Sequence, residues 1–318
     1  MSFQILGTGS AHPKQSVSND DLAKFLDTSD EWIYTRTGIK SRYICTDETI
    51  SDLAAQAGRA ALENAGVSAE ELDAVICSTV RGDYFTPSLA CVLQQRLGAA
   101  CPAFDLNAAC TGFLYALDVA DGYFVRRRAK KILVVACENM SRLLDWRDRS
   151  TCVLFGDGAG AVVLGEGENL LSISLSAQGN VENMNIPIGG GNSPFSESAA
   201  GESFLSMKGQ EIYKFAVASM TGDLERVIRE AGLRQEDIDY VLPHQANQRI
   251  IDTAKKHLSI PEDRFCGNIG RYGNVSSASI PILLDELNRQ NTFKKDDLLA
   301  FAAFGGGLTS GACVIRWG

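Results

Sequence analysis

Asp105-Leu106-Asn107-Ala108-Ala109-Cys110-Thr111-Gly112-Phe113 runs from an extended start through small residues into a long helix-forming segment, with a cysteine at the turn. A cysteine at the first turn of a helix faces unpaired backbone N–H groups and the positive end of the macrodipole, and both stabilise a thiolate. Cys110 is therefore a candidate nucleophile near neutral pH. Position alone favours a plainer reading, since Cys110 is one of nine cysteines and the usual cysteine is small, buried and inert.

Around this turn the chain alternates strand and helix patterns. Strands are predicted over 3–8, 74–78, 103–106, 131–137 and 161–164. Helices are predicted after the caps Ser18-Asn19-Asp20 and Thr28-Ser29-Asp30, the second holding Trp32 and ending at Gly38, and from Ser51-Asp52 to Gly66. Further helices run from Thr86-Pro87-Ser88 to Gly98, with Pro87 in or near the first turn, and over 112–127. The glycines of Gly156-Asp157-Gly158-Ala159-Gly160 precede a strand, so they do not form a nucleotide-binding loop; a close backbone approach or tight turn explains them.

Residues 165–205, rich in Gly, Ser, Asn and Glu, read as the connection between two halves, with one strand over 170–176. Then the pattern starts again: a helix over 207–231, a strand over 240–243, a helix over 247–258, a turn at Asn274 into a helix over 276–288, a strand over 298–303, and Gly305-Gly306-Gly307 leading to a strand over 312–316. The turns at Cys110 and Asn274, the apolar strands after them and the glycine-rich stretches match in order. That is a duplicated α/β unit, with halves at 1–168 and 169–318 whose corresponding turns converge on a site.

Composition bounds the function. With 318 residues, 45% hydrophobic and 22% charged, the chain can bury one large or two medium cores. Its longest apolar runs, 132–137 and 159–164, are strand length, far short of the roughly 20 residues a membrane helix needs. No secretory pattern opens the chain, so a cytoplasmic location is expected. Nine cysteines, an odd number with no Cys-x-x-Cys and no adjacent histidine, fit a reducing compartment and argue against disulfides and metal. A net charge of −9 disfavours nucleic acid, and any acidic partner must meet a local basic patch.

Of three histidines, His257 sits beside two lysines on a helix and His12 in an early loop. His244, in Pro243-His244-Gln245-Ala246-Asn247, follows a short strand, where α/β folds place their sites. Asn274 reads equally as a turn or cap residue. Each signal is weak alone; at corresponding places in a duplicated framework they reinforce one another.

With these motifs assembled, the chain resembles the thiolase-like condensing enzymes, and within them the β-ketoacyl-acyl carrier protein synthase III family. The resemblance spans essentially the whole chain and rests on Asn107-Ala-Ala-Cys110-Thr-Gly-Phe, Phe155-Gly-Asp-Gly-Ala-Gly, His244-Gln-Ala-Asn247, Gly273-Asn274-Val-Ser-Ser and Phe304-Gly-Gly-Gly307. It implies an α/β thiolase-like fold, layered α-β-α-β-α, and a decarboxylating Claisen condensation between an acyl-CoA primer and malonyl-acyl carrier protein. It further implies that Cys110 carries the acyl group, that His244 and Asn274 stabilise the enolate, that the N–H groups of Cys110 and Gly306 form an oxyanion hole, and that Phe304 walls the malonyl carboxylate. No cofactor is implied, because the CoA thioester is a substrate.

The same resemblance assigns Trp32, Arg36, Arg149, Gly209, Ala246 and Asn247 to CoA binding, with Trp32 and Arg149 about the adenine. It assigns Lys214, Arg249 and Lys256 to the carrier protein, although a solvated helix face explains those three as well. Where some family members carry a bulky aromatic before Pro-Ser at the acyl-pocket gate, this chain has Thr86, with Phe85 displaced by one. A wider pocket for primers longer than acetyl, including branched ones, is the expectation. A homodimer is also implied, with the gate reaching the neighbouring subunit's pocket. The alternatives are the same chemistry priming a polyketide or other secondary-metabolite pathway, and a non-catalytic partner subunit.

Overall fold

The computed structural model describes residues 2–188, 195 and 203–318; the rest of the expected connection at 165–205 lies outside them. Five strands form one sheet in the order β1 (Ser2–Ala11), β7 (Asp157–Gly167), β6 (Lys131–Asn139), β4 (Ala74–Ser78) and β5 (Ala103–Leu106). Four form a second, in the order β8 (Leu170–Asn180), β13 (Gly307–Arg316), β12 (Leu298–Gly305) and β11 (Tyr240–Pro243). Two short pairs stand apart: β2 (Gln15–Ser18) with β3 (Ser41–Ile44), and β9 (Met184–Asn185) with β10 (Ser206–Met207).

Taken from β1 and from β8, successive pairs in both sheets are antiparallel, antiparallel and parallel. The two halves therefore share one topology. In the first sheet β5 adds another parallel strand, and in the second a single parallel bridge between Val241 and Phe265 takes its place.

Alternation along the strands builds the layers. On β6, Ile132, Val134 and Ala136 enter a central core while Leu133, Val135 and Cys137 face outward to another. β12 repeats this, with Leu299, Phe301 and Ala303 inward and Ala300, Ala302 and Phe304 outward. The central core is closed by α5 (Gly112–Val125) and α9 (Ser279–Arg289), through Leu114, Leu117, Ile280 and Leu283. The amphipathic α3 (Ile50–Ala65) covers the outside of the first sheet together with α4 (Leu89–Leu97). Beyond the second sheet lie α6 (Gly209–Glu230) and α7 (Gln248–Lys255). The result is an α-β-α-β-α stack. Three short helices, α1 (Asn19–Ala23), α2 (Asp30–Thr37) and α8 (Ile269–Tyr272), border it.

Local chemistry sets several ends differently from the sequence expectation. Thr49, two residues before Ser51, caps α3 in a capping box with Asp52, and Gly66 ends it in the left-handed region. Ser88 caps α4, with Pro87 directly before it, near the first turn. The glycines of 156–160 mostly lie inside β7. A Cβ on Gly160 would stand 2.7 Å from Pro281 and from the backbone of Ile282, so close approach of α9, not a turn, requires glycine there.

Candidate active site

Two matching turns, at the N-termini of α5 and α9, form the floor of the site. After β5, Ala109–Thr111 makes a single 3-10 turn before α5, and the Asn107 side-chain oxygen accepts the N–H of Ala109 at 3.1 Å. In the second half Ser276–Ala278 makes the same turn before α9, and the Asn274 oxygen accepts the N–H of Ser276 at 2.9 Å. Ala109 and Ser276 both hold positive φ, 46° and 47°. One constant offset thus carries Asn107 to Asn274, Ala109 to Ser276 and Cys110 to Ser277. The sequence had matched Cys110 with Asn274; the structural twin of the cysteine is Ser277, because the Asx turn sets the register.

Close packing holds the first turn in place. A Cβ on Gly112 would lie 2.0 Å from the Ser78 hydroxyl at the end of β4, and one on Gly305 would lie 2.8 Å from the Cys110 nitrogen. Glycine at both positions lets the ends of β4 and β12 press against the turn that carries the cysteine.

His244 follows β11, and its N–H donates to Ala302 at 2.8 Å. Its Nδ1 lies 2.7 Å from the Ser279 hydroxyl at the start of α9, and its ring stands edge-on to Phe304 with centroids 5.3 Å apart. This leaves Nε2 for another partner. Burial pushes the imidazole down to about 3, so the ring is neutral at physiological pH. The Asn274 oxygen is occupied by Ser276, which leaves its NH₂ group as the available donor.

The Cys110 thiol departs from the sequence expectation. It is buried, and loss of solvent pushes its pKa up to about 12, against the lowering effect of the Ser276 hydroxyl and of the local backbone. At neutral pH the group is a thiol, because desolvation of the anion outweighs the helix start. Behind it Glu138, at the end of β6, is also fully buried and raised to about 7 by burial. Its carboxylate accepts hydrogen bonds from Ser277 at 2.6 Å, Ser276 at 3.2 Å and the Val80 N–H at 3.0 Å.

A cavity of about 280 Å³ brings Cys110, His244, Asn274 and Phe304 together with Trp32, Arg36, Gly209, Ala246 and Asn247. A second, of about 340 Å³, also reaches Cys110 and contains Gly306, with Val80, Met140, Met184, Ile186 and Leu205 on its walls. Cys110 stands where the two meet. Arg149 does not line either cavity; its guanidinium lies 5.1 Å from the centre of the Trp32 ring, on which Arg36 also packs at 4.6 Å.

Other expected residues lie farther out. Lys214 and Arg249 are exposed beside cavity-lining residues of α6 and α7, with Lys214 bonded to Glu211 at 3.0 Å, and Lys256 is exposed at the far end of α7. Thr86 lines neither cavity and sits in an exposed stretch with Tyr84 and Phe85, the latter 89% exposed. Sequence reading missed Ser279, Glu138, Gly305 and the methionine walls. The serine pair in Asn274-Val-Ser-Ser was a signal for the second turn, but nothing local pointed to Glu138.

Comparison with known proteins identifies the family. Residues 104–179 match the model for 3-oxoacyl-[acyl-carrier-protein] synthase III, and residues 228–317 match the model for that enzyme's C-terminal part. The chain is 45% identical to a β-ketoacyl-[acyl-carrier-protein] synthase III of Clostridium acetobutylicum, covering 99% of each chain. It superposes on the crystal structure of 3-oxoacyl-[acyl-carrier-protein] synthase III from Aquifex aeolicus with a TM-score of 0.92 and 44% identity, covering 99% of this chain and 100% of that one. The priming β-ketosynthase from the R1128 polyketide pathway superposes with a TM-score of 0.93 at 35% identity, over 99% and 96%. The chain belongs to the β-ketoacyl-acyl carrier protein synthase III family.

Proposed function

We propose that Cys110, His244 and Asn274 divide between them the two half-reactions of the initiating condensation that family membership assigns to this acyltransferase. The observation that carries the reading is the position of Cys110 at the junction of two cavities, with both candidate enolate donors on the wall of one. Cys110 Sγ attacks the thioester carbonyl of acyl-CoA, and the N–H groups of Cys110 and Gly306 hold the oxyanion. Acyl-cysteine forms and CoA leaves. Arg36 and Trp32, which line the first cavity, suit a phosphate and an adenine, with Arg149 backing the ring. Gly209, Ala246 and Asn247 line the same cavity and suit the pantetheine arm.

Malonyl-acyl carrier protein then enters. With the Ser279 O–H donating to Nδ1, His244 carries its proton on Nε2 and donates to the malonyl thioester carbonyl, beside the Asn274 NH₂. As carbon dioxide departs, charge builds on that oxygen, where each donor can contribute about 10²- to 10³-fold. Phe304 supplies an apolar wall against the departing carboxylate. The enolate carbon attacks the acyl carbonyl and Cys110 is released.

The second cavity suits the acyl chain, and its aliphatic and methionine walls favour primers longer than acetyl. Lys214, Arg249 and Lys256 form the face for the acidic carrier protein. The exposed Phe85 and Thr86 support a homodimer in which this stretch meets the neighbouring subunit. No helix among the described residues is long and apolar enough to cross a membrane, and all nine cysteines are free thiols, which supports a cytoplasmic setting. The likeness to a polyketide priming enzyme supports a second reading, the same chemistry in secondary metabolism. Turnover with the fatty-acid carrier protein against a polyketide carrier protein separates the two.

Mass spectrometry after treatment with acetyl-, isobutyryl- and hexanoyl-CoA tests the central assignment. The expected results are an acyl adduct on the wild type with all three primers and none on Cys110→Ser. An adduct that survives loss of Cys110 overturns the nucleophile, and strict acetyl preference overturns the wide pocket.

A further inference from the structure

Acylation requires Cys110 to lose a proton in a site where burial keeps it a thiol. His244 faces the same cavity but is committed, in the reading above, to holding its proton as a donor. Ser276 lines the second cavity together with Cys110, its hydroxyl favours the thiolate, and it donates to Glu138 at 3.2 Å. Glu138 is 1% exposed, and its partners, Ser276, Ser277 and the Val80 N–H, are uncharged donors. Titratable groups close to it along the sheet include its strand neighbour Cys137, Cys77 on β4 and Asp157 on β7, and Cys110 also feels its charge. Cys137 donates to the Ile50 carbonyl at 3.2 Å, and Asp157 is held by the Ser141 hydroxyl and the N–H groups of Ser141 and Cys45. Neither competes for the Ser276 hydroxyl.

We propose that Glu138 is a positioning residue that stores the Cys110 proton, receiving it through the Ser276 hydroxyl during acylation and returning it when the product leaves. The inference rests on Cys110 being the acylated residue. In the first half-reaction the S–H proton moves to Ser276 Oγ as the Ser276 proton moves to a Glu138 oxygen. The sulfur electron pair forms the C–S bond, the bond to CoA breaks, and CoA thiolate departs to take a proton from solvent. In the second half-reaction the enolate carbon displaces Cys110 as thiolate, the stored proton returns along the same path, and Glu138 is again a carboxylate. One proton is taken up per turnover, by CoA.

The electrostatic alternative makes the opposite prediction. A buried carboxylate that is only a nearby negative charge raises the thiol pKa, so removing that charge would make Cys110 more reactive at neutral pH. The test is the pH dependence of Cys110 alkylation by iodoacetamide and of acylation by acyl-CoA, in the wild type, Glu138→Gln, Glu138→Asp and Ser276→Ala. Alanine is suited to the positive φ at 276, because its twin Ala109 holds the same conformation. In the wild type, reactivity rises as pH passes through about 7, where Glu138 ionises. In Glu138→Gln and Ser276→Ala that limb is lost, reactivity moves to higher pH, and acylation at pH 7 falls at least tenfold. Glu138→Asp restores part of the limb, and decarboxylation of malonyl-acyl carrier protein stays within a few-fold. Unchanged or lower-pH profiles in both variants overturn the proposal while leaving wild-type acylation intact. Failure of the wild type to acylate instead overturns the underlying reading.

Discussion

The turns before α5 and α9 are built alike, yet they present different chemistry. Each has an asparagine closing an Asx turn, a residue at positive φ and a single 3-10 turn feeding a central helix. In the first, Asn107 is exposed, the working position is a cysteine, and Gly112 opens the helix. In the second, Asn274 is buried with a free donor, the cysteine's twin is Ser277, and Ser279 opens the helix and holds His244. The backbone motif supplies position, and what stands opposite each turn supplies function. Gly305 presses on Cys110, whereas the matching place on β6 carries Glu138, which bonds Ser276 and Ser277.

The largest effect expected from breaking this comparison is at the two asparagines. Asn274→Ala should lower condensation about 10²- to 10³-fold with Cys110 acylation retained, as loss of an enolate donor requires. Asn107→Ala removes only a turn bond and should cost about 1 kcal/mol of stability with no selective loss. Stopped-flow acylation beside steady-state turnover reads both, and a selective condensation defect in Asn107→Ala would erase the distinction.

A smaller effect separates the helix openings. Gly112→Ala places a methyl on Ser78 and should cost about 1–3 kcal/mol in denaturant unfolding. Ser279→Ala should leave stability nearly unchanged and reduce kcat for condensation about tenfold with little change in KM, because His244 loses the bond that directs its proton. Equal stability losses in the two variants would show that the second turn is only a packing element.

A last effect, confined to acid pH, is in stability. The folded His244 imidazole is depressed to about 3, so the unfolded chain binds the proton more readily. The stability that follows is present above the unfolded value near 6.5 and is lost as pH falls toward 3, by at most ~1.4 kcal/mol per pH unit. His244→Ala should flatten that part of the stability profile. It should also leave wild-type-like acylation between pH 5 and 7, and an imidazole titration near 6.5 by NMR would contradict the buried, neutral state.

Much of this molecule was legible in order. The period-2 runs at 132–137 and 298–303 and the small-residue turns marked the strands and the duplicated halves, because alternation follows from strand geometry alone. The motifs around Cys110, His244, Asn274 and Phe304 named side chains that one cavity does collect. Helix starts were less legible, as with Thr49 in place of Ser51, because several cap-capable residues stood in a row. Thr86 and Lys256 are exposed and line neither cavity, because pattern alone does not fix which surface residues fold toward a site.

Sequence by itself determined the duplicated alternation of strands and helices and the set of chemically capable residues, since both follow from periodicity and from side-chain type. Only the tertiary structure decided how those residues are charged and which turn position matches which. Burial between two sheets makes Cys110 a thiol and His244 a neutral ring, and it draws Glu138 against a turn far away in the chain. Desolvation and contacts across the sheets belong to the assembled surroundings, and no local stretch of sequence contains them.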